Sequence, residues 1–246
     1  MMLGRILGSA PGIPVLGKSH SALLCRVNEM NILFDCGEGT AQKLLEYDLD
    51  RDFIDVIIIS HLHPDHCIGL FMVLQMFHLQ KRSRPLKVYL PESLDSFRSM
   101  MNMLYLFPER FEFSVDLIDI TDLKESLPEI TTISNSHLLT YQDFIREHNL
   151  GNSMKSFSFM INTGKINLLY TSDLQDTKHL IDFLQDSDII IIDALHPPLE
   201  EVISLINQKD KKIILIHGLS NELKNTLDTN NYSNVILAED GYPIYA

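Results

Sequence analysis

Residues 55–69 read Asp-Val-Ile-Ile-Ile-Ser-His-Leu-His-Pro-Asp-His-Cys-Ile-Gly, and this stretch decides how the rest of the chain is read. Val56–Ile59 is short, wholly apolar and β-branched, the pattern of a strand buried on both faces. It runs into His61-Leu62-His63-Pro64-Asp65-His66, where three of the chain's ten histidines and an aspartate fall within six positions. Pro64 argues against a continuing strand or regular helix, which predicts a tight loop at a strand end on which these side chains converge. Cys67–Gln80 then reads as a helix with its apolar face on a core. Neutral imidazole and carboxylate are common ligands of Zn²⁺, Mn²⁺ and Fe. Histidines at i and i+2 suit one ion and the following Asp-His pair a second. Two ions about 3.5–4 Å apart clamp a nucleophilic hydroxide between them.

The composition is that of an ordinary globular chain. Its 246 residues, 45% hydrophobic and 22% charged, predict one domain over 1–246 with an internally repeated plan. No apolar run reaches the length of a membrane span, and the first ten residues lack the features of a signal peptide. Cys25, Cys36 and Cys67 form no disulfide framework and fit a reducing, cytoplasmic location. The net charge of −13 opposes nucleic-acid binding, which draws on lysine and arginine at phosphates. Two clusters, Lys81-Arg82-Ser83-Arg84 and Lys209 with Lys211 and Lys212, are the only candidates for basic patches, and both read better as solvated loops.

Further apolar strands are predicted at Ala22–Val27 and Ile32–Asp35 as a hairpin, and at Leu86–Leu90, Ile130–Ser136 and Lys212–Ile216. A second hairpin over Ser156–Ile161 and Ile166–Tyr170 turns at Asn162-Thr163-Gly164-Lys165. Ile189–Ile192 is wholly apolar. Phe111–Ile120 reads as an edge or half-buried strand. Helices are expected at Thr40–Tyr47 with Leu44 and Leu45 buried, near Glu92–Leu106 with Met100, Met103, Leu104 and Phe107 on its core side, and at Asp176–Leu184.

The His61-x-His63-x-Asp65-His66 loop after an apolar strand resembles the signature of the metallo-β-lactamase superfamily. Leu7-Gly8-Ser9-Ala10-Pro11-Gly12-Ile13-Pro14 and Leu33-Phe34-Asp35-Cys36-Gly37-Glu38-Gly39-Thr40 resemble its tRNase Z branch. The resemblance implies an αββα four-layer sandwich of two mixed β-sheets flanked by helices. It implies one ion on His61, His63 and His137, and a second on Asp65, His66 and His217, with Asp173 of Thr171-Ser172-Asp173 bridging both. Zinc is the first expectation, manganese or iron the alternatives. Asp35 is expected to orient a metal-binding histidine. Asp65 is expected to steer the hydroxide as well as bind metal. The branch uses a glutamate–histidine pair at the phosphate and leaving group; here the matching strand ends in Asp193 with His196 three residues on, a shorter spacing, which makes His196 the candidate general acid and Asp193 its orienter. Dimers are common among such proteins, so homodimerisation is a further expectation.

The chain departs from the branch in two places. Only 36 positions separate His137 from Asp173, too few for the long basic arm that holds tRNA. Val15-Leu16-Gly17-Lys18-Ser19-His20 replaces a Pro-x-Lys-x-Arg-Asn-like tract. With the acidic charge, these departures favour a small-molecule substrate over tRNA. The expectation is a metal-dependent hydrolase acting as a phosphodiesterase on a small or cyclic phosphodiester. The alternatives are a tRNA 3′-endonuclease, a lactone or carboxylic-ester hydrolase, and a non-enzymatic metal-binding member.

Overall fold

The computed structural model describes residues 2–230 and 232–245. Its strands fall into two sheets that repeat one plan. The first contains β1 (Met2–Gly8), β2 (Ala22–Val27), β3 (Met30–Phe34), β4 (Val56–Ile58), β5 (Leu86–Leu90), β6 (Val115–Asp119) and β13 (Pro243–Tyr245), in the order β13-β1-β2-β3-β4-β5-β6. The second contains β7 (Ile130–Ser134), β8 (Phe157–Asn162), β9 (Asn167–Tyr170), β10 (Ile189–Asp193), β11 (Lys212–Ile216) and β12 (Val235–Leu237), in the order β12-β11-β10-β9-β8-β7. Each has an antiparallel part, β13-β1-β2-β3 or β7-β8-β9, that leads into parallel strands, β3-β4-β5-β6 or β9-β10-β11-β12.

The strands' alternation explains the layers. Ile32 and Phe34 of β3, Val56 and Ile58 of β4, Ile189 and Ile191 of β10, and Ile214 and Ile216 of β11 fill the core between the sheets. Leu33 and Ile57 face outward onto the helices α1 (Thr40–Glu46), α3 (Gly69–Leu79) and α4 (Leu94–Met103). Ile190, Ile192, Ile213 and Leu215 face α8 (Leu199–Ile206) and α9 (Asn221–Thr229). Burial on both faces is why these strands read as unbroken apolar runs. The result is the αββα sandwich of two mixed sheets. Short helices α2 (Pro64–Cys67), α5 (Leu123–Ser126), α6 (Gln142–Glu147) and α7 (Ile181–Asp186) complete it. Among the described residues no helix is long and apolar enough to cross a membrane.

Several local expectations are corrected. Pro64 does not bar a helix after His63; it starts α2 with His63 as N-cap, because a first-turn residue needs no N–H partner. The helix after it is split, α2 ending at Cys67 and α3 starting at Gly69. Leu45 is exposed, and only Leu44 of that pair is buried. In α4 the core side is Phe97 and Met101, four apart; Met103 and Leu104 face outward. Of Phe111–Ile120 only Val115–Asp119 is strand. The stretch 176–184 opens as a 3₁₀ turn at Lys178–Leu180 before α7. Arg82 is fully buried, donating to the carbonyls of Arg51, Ile54, Arg84 and Pro85, and Arg84 pairs with Asp55. Lys211 is likewise buried on the carbonyls of Gln185 and Ser187. One cation of each cluster is therefore buried, while Lys81, Arg84 and Lys209 remain exposed as expected of a solvated loop.

Candidate metal centre

The residues singled out above stand just past strand ends. Asp35 follows β3; His61, His63, Asp65 and His66 follow β4; His137 follows β7, Asp173 β9 and His217 β11, while Asp193 closes β10. Parallel strands present these ends on one rim, the usual place for a site on such sheets. Asp35, Ser172 and His217 adopt positive φ (58°, 50° and 66°), so the chain turns sharply as it leaves three of the strands. Asp35 N–H donates to the Ile58 carbonyl at 2.8 Å and Cys36 N–H to the His66 carbonyl at 2.7 Å, tying the histidine loop to β3. That approach needs two glycines: a Cβ on Gly37 would lie 2.2 Å from the Asp65 carbonyl oxygen, and one on Gly69 would lie 2.0 Å from that of Gly37.

The side chains converge in two groups. His61, His63, His137 and Asp173 offer nitrogen and oxygen atoms within 4.8 Å of one another, and so do Asp65, His66, His217 and Asp173. Asp173 is common to both. Its Oδ1 lies 3.1 Å from His66 Nε2, and its Oδ2 lies 3.3, 3.5 and 4.0 Å from Nε2 of His217, His137 and His61. Asp65 Oδ2 is 3.5 Å from His66 Nε2 and 3.8 Å from His217 Nε2. Ligand atoms about 2.1 Å from a tetrahedral zinc stand about 3.4 Å apart, so the spacings suit a cation at the centre of each group. The Nε2 atom of His61 is buried with no hydrogen-bond partner, which a metal would supply. The residues therefore fit a binuclear metal site.

A buried network decides which nitrogen each ring turns inward. Asp35 Oδ2 accepts from His66 Nδ1 (2.9 Å), Tyr170 Oη (2.6 Å) and Ser172 Oγ (3.3 Å), while its Oδ1 accepts from Ser60 N–H (2.8 Å). With the Ser172 proton committed to Asp35, the 2.7 Å contact between Ser60 and Ser172 is made by the Ser60 proton. Ser60 Oγ then accepts from His61 Nδ1–H at 3.0 Å, leaving His61 Nε2 as the bare lone pair. One carboxylate thus fixes rings in both groups, as supporting partners of metal-binding histidines do. Nothing in the sequence marks Tyr170, which reads there as the last apolar residue of a strand. Ser60 and Ser172 adjoin His61 and Asp173, and that adjacency was the available signal.

The charge balance also calls for a cation. Burial lowers His137 to about 4 and holds His61 well below the usual histidine range, so both are neutral at pH 7. Burial opposes charge on His66 too, but Asp173 and Asp35 outweigh it and keep that imidazole well above the range. Burial would raise Asp173, yet His66 and His217 hold it well below the carboxylate range. Without an ion, a proton on His66 partly balances the carboxylates. A metal would displace it, and uptake would release protons.

A cavity of about 300 Å³ opens over the first group, lined by His63, His137, Thr140, Tyr141, Gln175 and His196. His196 Nδ1 donates to Asp193 Oδ2 at 2.9 Å and lies 3.8 Å from Asp173 Oδ2. That hydrogen bond raises the His196 pKa to about 8. Asp193 Oδ1 and Oδ2 also accept from the backbone N–H groups of Leu195 and Leu174, so the orienting carboxylate is itself fixed.

The profile of the family described as Anti-Pycsar protein Apyc1 matches residues 5–239, and the chain belongs to that family. It is also 31% identical over 118 residues to ribonuclease Z of Methanococcus aeolicus, covering 48% of this chain and 36% of that protein, so the chain spans about a third of that relative's length. Two solved structures share the fold: human tRNase Z, short form (TM-score 0.70, 21% identity, 99% of each chain), and the metallo-β-lactamase fold protein YhfI from Bacillus subtilis (TM-score 0.68, 17% identity, 99% of this chain and 98% of that one). The chain is thus a metallo-β-lactamase fold protein, related over part of its length to ribonuclease Z.

Proposed function

We propose that this member of the Apyc1 family is a metal-dependent phosphodiesterase that opens a small cyclic phosphodiester, a cyclic nucleotide in the first place. The observation that carries the reading is Asp173, within 3.1–4.0 Å of four imidazole nitrogens from both groups and reached by the His196–Asp193 pair in the same cavity. His61, His63 and His137 would hold one divalent ion, Asp65, His66 and His217 the other, and Asp173 both. Zinc fits the nitrogen-rich set, with manganese or iron as alternatives. Such a pair, when bound, supplies a nucleophilic hydroxide near neutral pH and neutralises charge on the phosphate.

The chain's own residues do the rest. Asp65, at the edge of the second group, accepts the proton of the attacking water. His196, held by Asp193, directs its Nε2–H to the ester oxygen. As the P–O bond breaks, that proton passes to the leaving alkoxide, and the ring opens to a monoester. Tyr141 and Gln175 line the remaining space around the phosphate. Buried free cysteines suit action in a reducing cytoplasm.

A tRNA 3′-endonuclease is the second reading, favoured by the partial match to ribonuclease Z. Against it stand the charge of −13 and the enclosed Arg82 and Lys211. The test is hydrolysis of adenosine 3′,5′-cyclic phosphate and bis(p-nitrophenyl) phosphate by metal-loaded protein, beside lactones, carboxylic esters and a 3′-extended tRNA. Phosphodiester cleavage that disappears with Asp173→Ala is expected. Turnover of the carboxylic esters alone, or of tRNA alone, would reject the proposal.

A further inference from the structure

A second cavity, of about 290 Å³, adjoins the metal centre and has no part in the reading above. His63 and Tyr141 line both cavities, so the two meet at one wall. Tyr141 stands edge-on to His63, with ring centroids 5.8 Å apart and planes at 85°. Beyond Tyr141 the lining is mostly apolar, with Leu138, Phe144, Ile145, Leu150 and Met154 beside the polar Glu92 and Asn152. These side chains belong to none of the three cores, although Tyr141 and Phe144 leave 47% and 55% of their surface open. Leu138 is buried, but folding makes little use of the others, and an open apolar lining beside a reactive centre suits a ligand contact.

The pocket is built rather than accidental. Glu92 is buried in its lining and accepts from Ser153 N–H at 2.6 Å and Lys155 N–H at 3.2 Å, which holds Met154, between them in the chain, in place. Both carboxylate oxygens are taken, so Glu92 braces the pocket and has little left for a ligand. Phe144 is itself stacked on His148, centroids 4.1 Å apart and planes 23° from parallel, and so presents a fixed face. A group suited to this space is flat, uncharged, and tethered by a short link to an anion in the neighbouring polar cavity.

We infer that this pocket seats the base of the substrate, with Tyr141 and Phe144 as its aromatic faces and Tyr141 aligning base and phosphate across the shared wall. The inference rests on the phosphodiesterase reading and adds that recognition is divided between two cavities. Its test compares adenosine 3′,5′-cyclic phosphate with 1-O-methylribose 3′,5′-cyclic phosphate, which keeps the reacting ring and lacks the base. The metal-loaded full chain should prefer the nucleotide by about 5- to 100-fold in kcat/KM, the range expected of base stacking on an aromatic face. Phe144→Ala, at an exposed position that belongs to neither metal-binding group, should collapse that preference mainly through KM. Tyr141→Ala should do the same and Tyr141→Phe restore it, with metal content measured for each. A wild-type chain that opens both compounds equally, or variants that keep the preference, would overturn the base seat and leave the phosphodiesterase intact. A chain that opens neither compound overturns both.

Discussion

The two sheets contribute to the metal centre in opposite ways. The first delivers His61, His63, Asp65 and His66 from six consecutive residues, the loop after β4 and the start of α2, held to β3 by two short backbone bonds and two glycine contacts. The second delivers His137, Asp173 and His217 singly, from the ends of β7, β9 and β11, whose spacing depends on the antiparallel register of β7, β8 and β9 and the parallel register of β9, β10 and β11. One half is local and can form as soon as its loop folds. The other exists only once a sheet has assembled. Asp173 joins the two, and the sharpest way to break the comparison is to remove it.

Asp173→Ala should abolish uptake of both ions and reduce phosphodiester turnover by about 10³-fold or more, since the electrostatic stabilisation of the reaction goes with them. His217→Ala should remove half of the metal, because only one group loses a donor. Metal analysis after dialysis, paired with kcat, separates these outcomes. Equal metal loss in the two variants would show that the groups are not independent halves.

The same asymmetry explains what could be read from the sequence. The histidine loop was legible because its donors are contiguous and follow an apolar strand. His137, Asp173 and His217 were reached through family resemblance, since a lone histidine or aspartate at a strand end has many ordinary explanations. The unbroken apolar run Ile189–Ile192 marks a buried strand directly, yet it does not reveal that Ile190 and Ile192 face α8 while Ile189 and Ile191 face the other sheet. The core side of α4 was misread because apolar residues lie all round that segment, and only packing selects Phe97 and Met101. Tyr170 had no sequence signal, because its hydroxyl acts on a residue 135 positions away.

Asp35 is where the two halves share support, so it gives the next largest effect. Asp35→Ala strips an acceptor from His66, Tyr170, Ser172 and the Ser60 backbone in a fully buried place. Each orphaned donor costs about 1–3 kcal/mol, and lost orientation costs about 10- to 100-fold in metal affinity. A lower urea midpoint for the metal-free protein together with weaker affinity at both sites is expected. Weakening at the His66 group alone would refute the relay through Ser172 and Ser60. Tyr170→Phe removes one donor and leaves the others, so about 1 kcal/mol of stability and only a few-fold in metal affinity should be lost.

The smallest effect tests the second sheet's other strand end. The hydrogen bond from His196 Nδ1 to Asp193 holds the ring's pKa at about 8. A general acid works only while protonated, so the alkaline limb of kcat/KM should fall through that region as His196 loses its proton. Asp193→Asn removes the carboxylate charge that favours the imidazolium, so the pKa drops toward the ordinary histidine value of about 6.5 and the limb moves to lower pH. At pH 6 the variant should keep much of its activity, and at pH 8 it should fall well behind the wild type. Bis(p-nitrophenyl) phosphate, whose leaving group needs little protonation, should show a smaller shift than a cyclic nucleotide. A limb that stays in place with both substrates would reduce the Asp193–His196 pair to a strand-end brace, and the second sheet's part in the site would end at His137, Asp173 and His217.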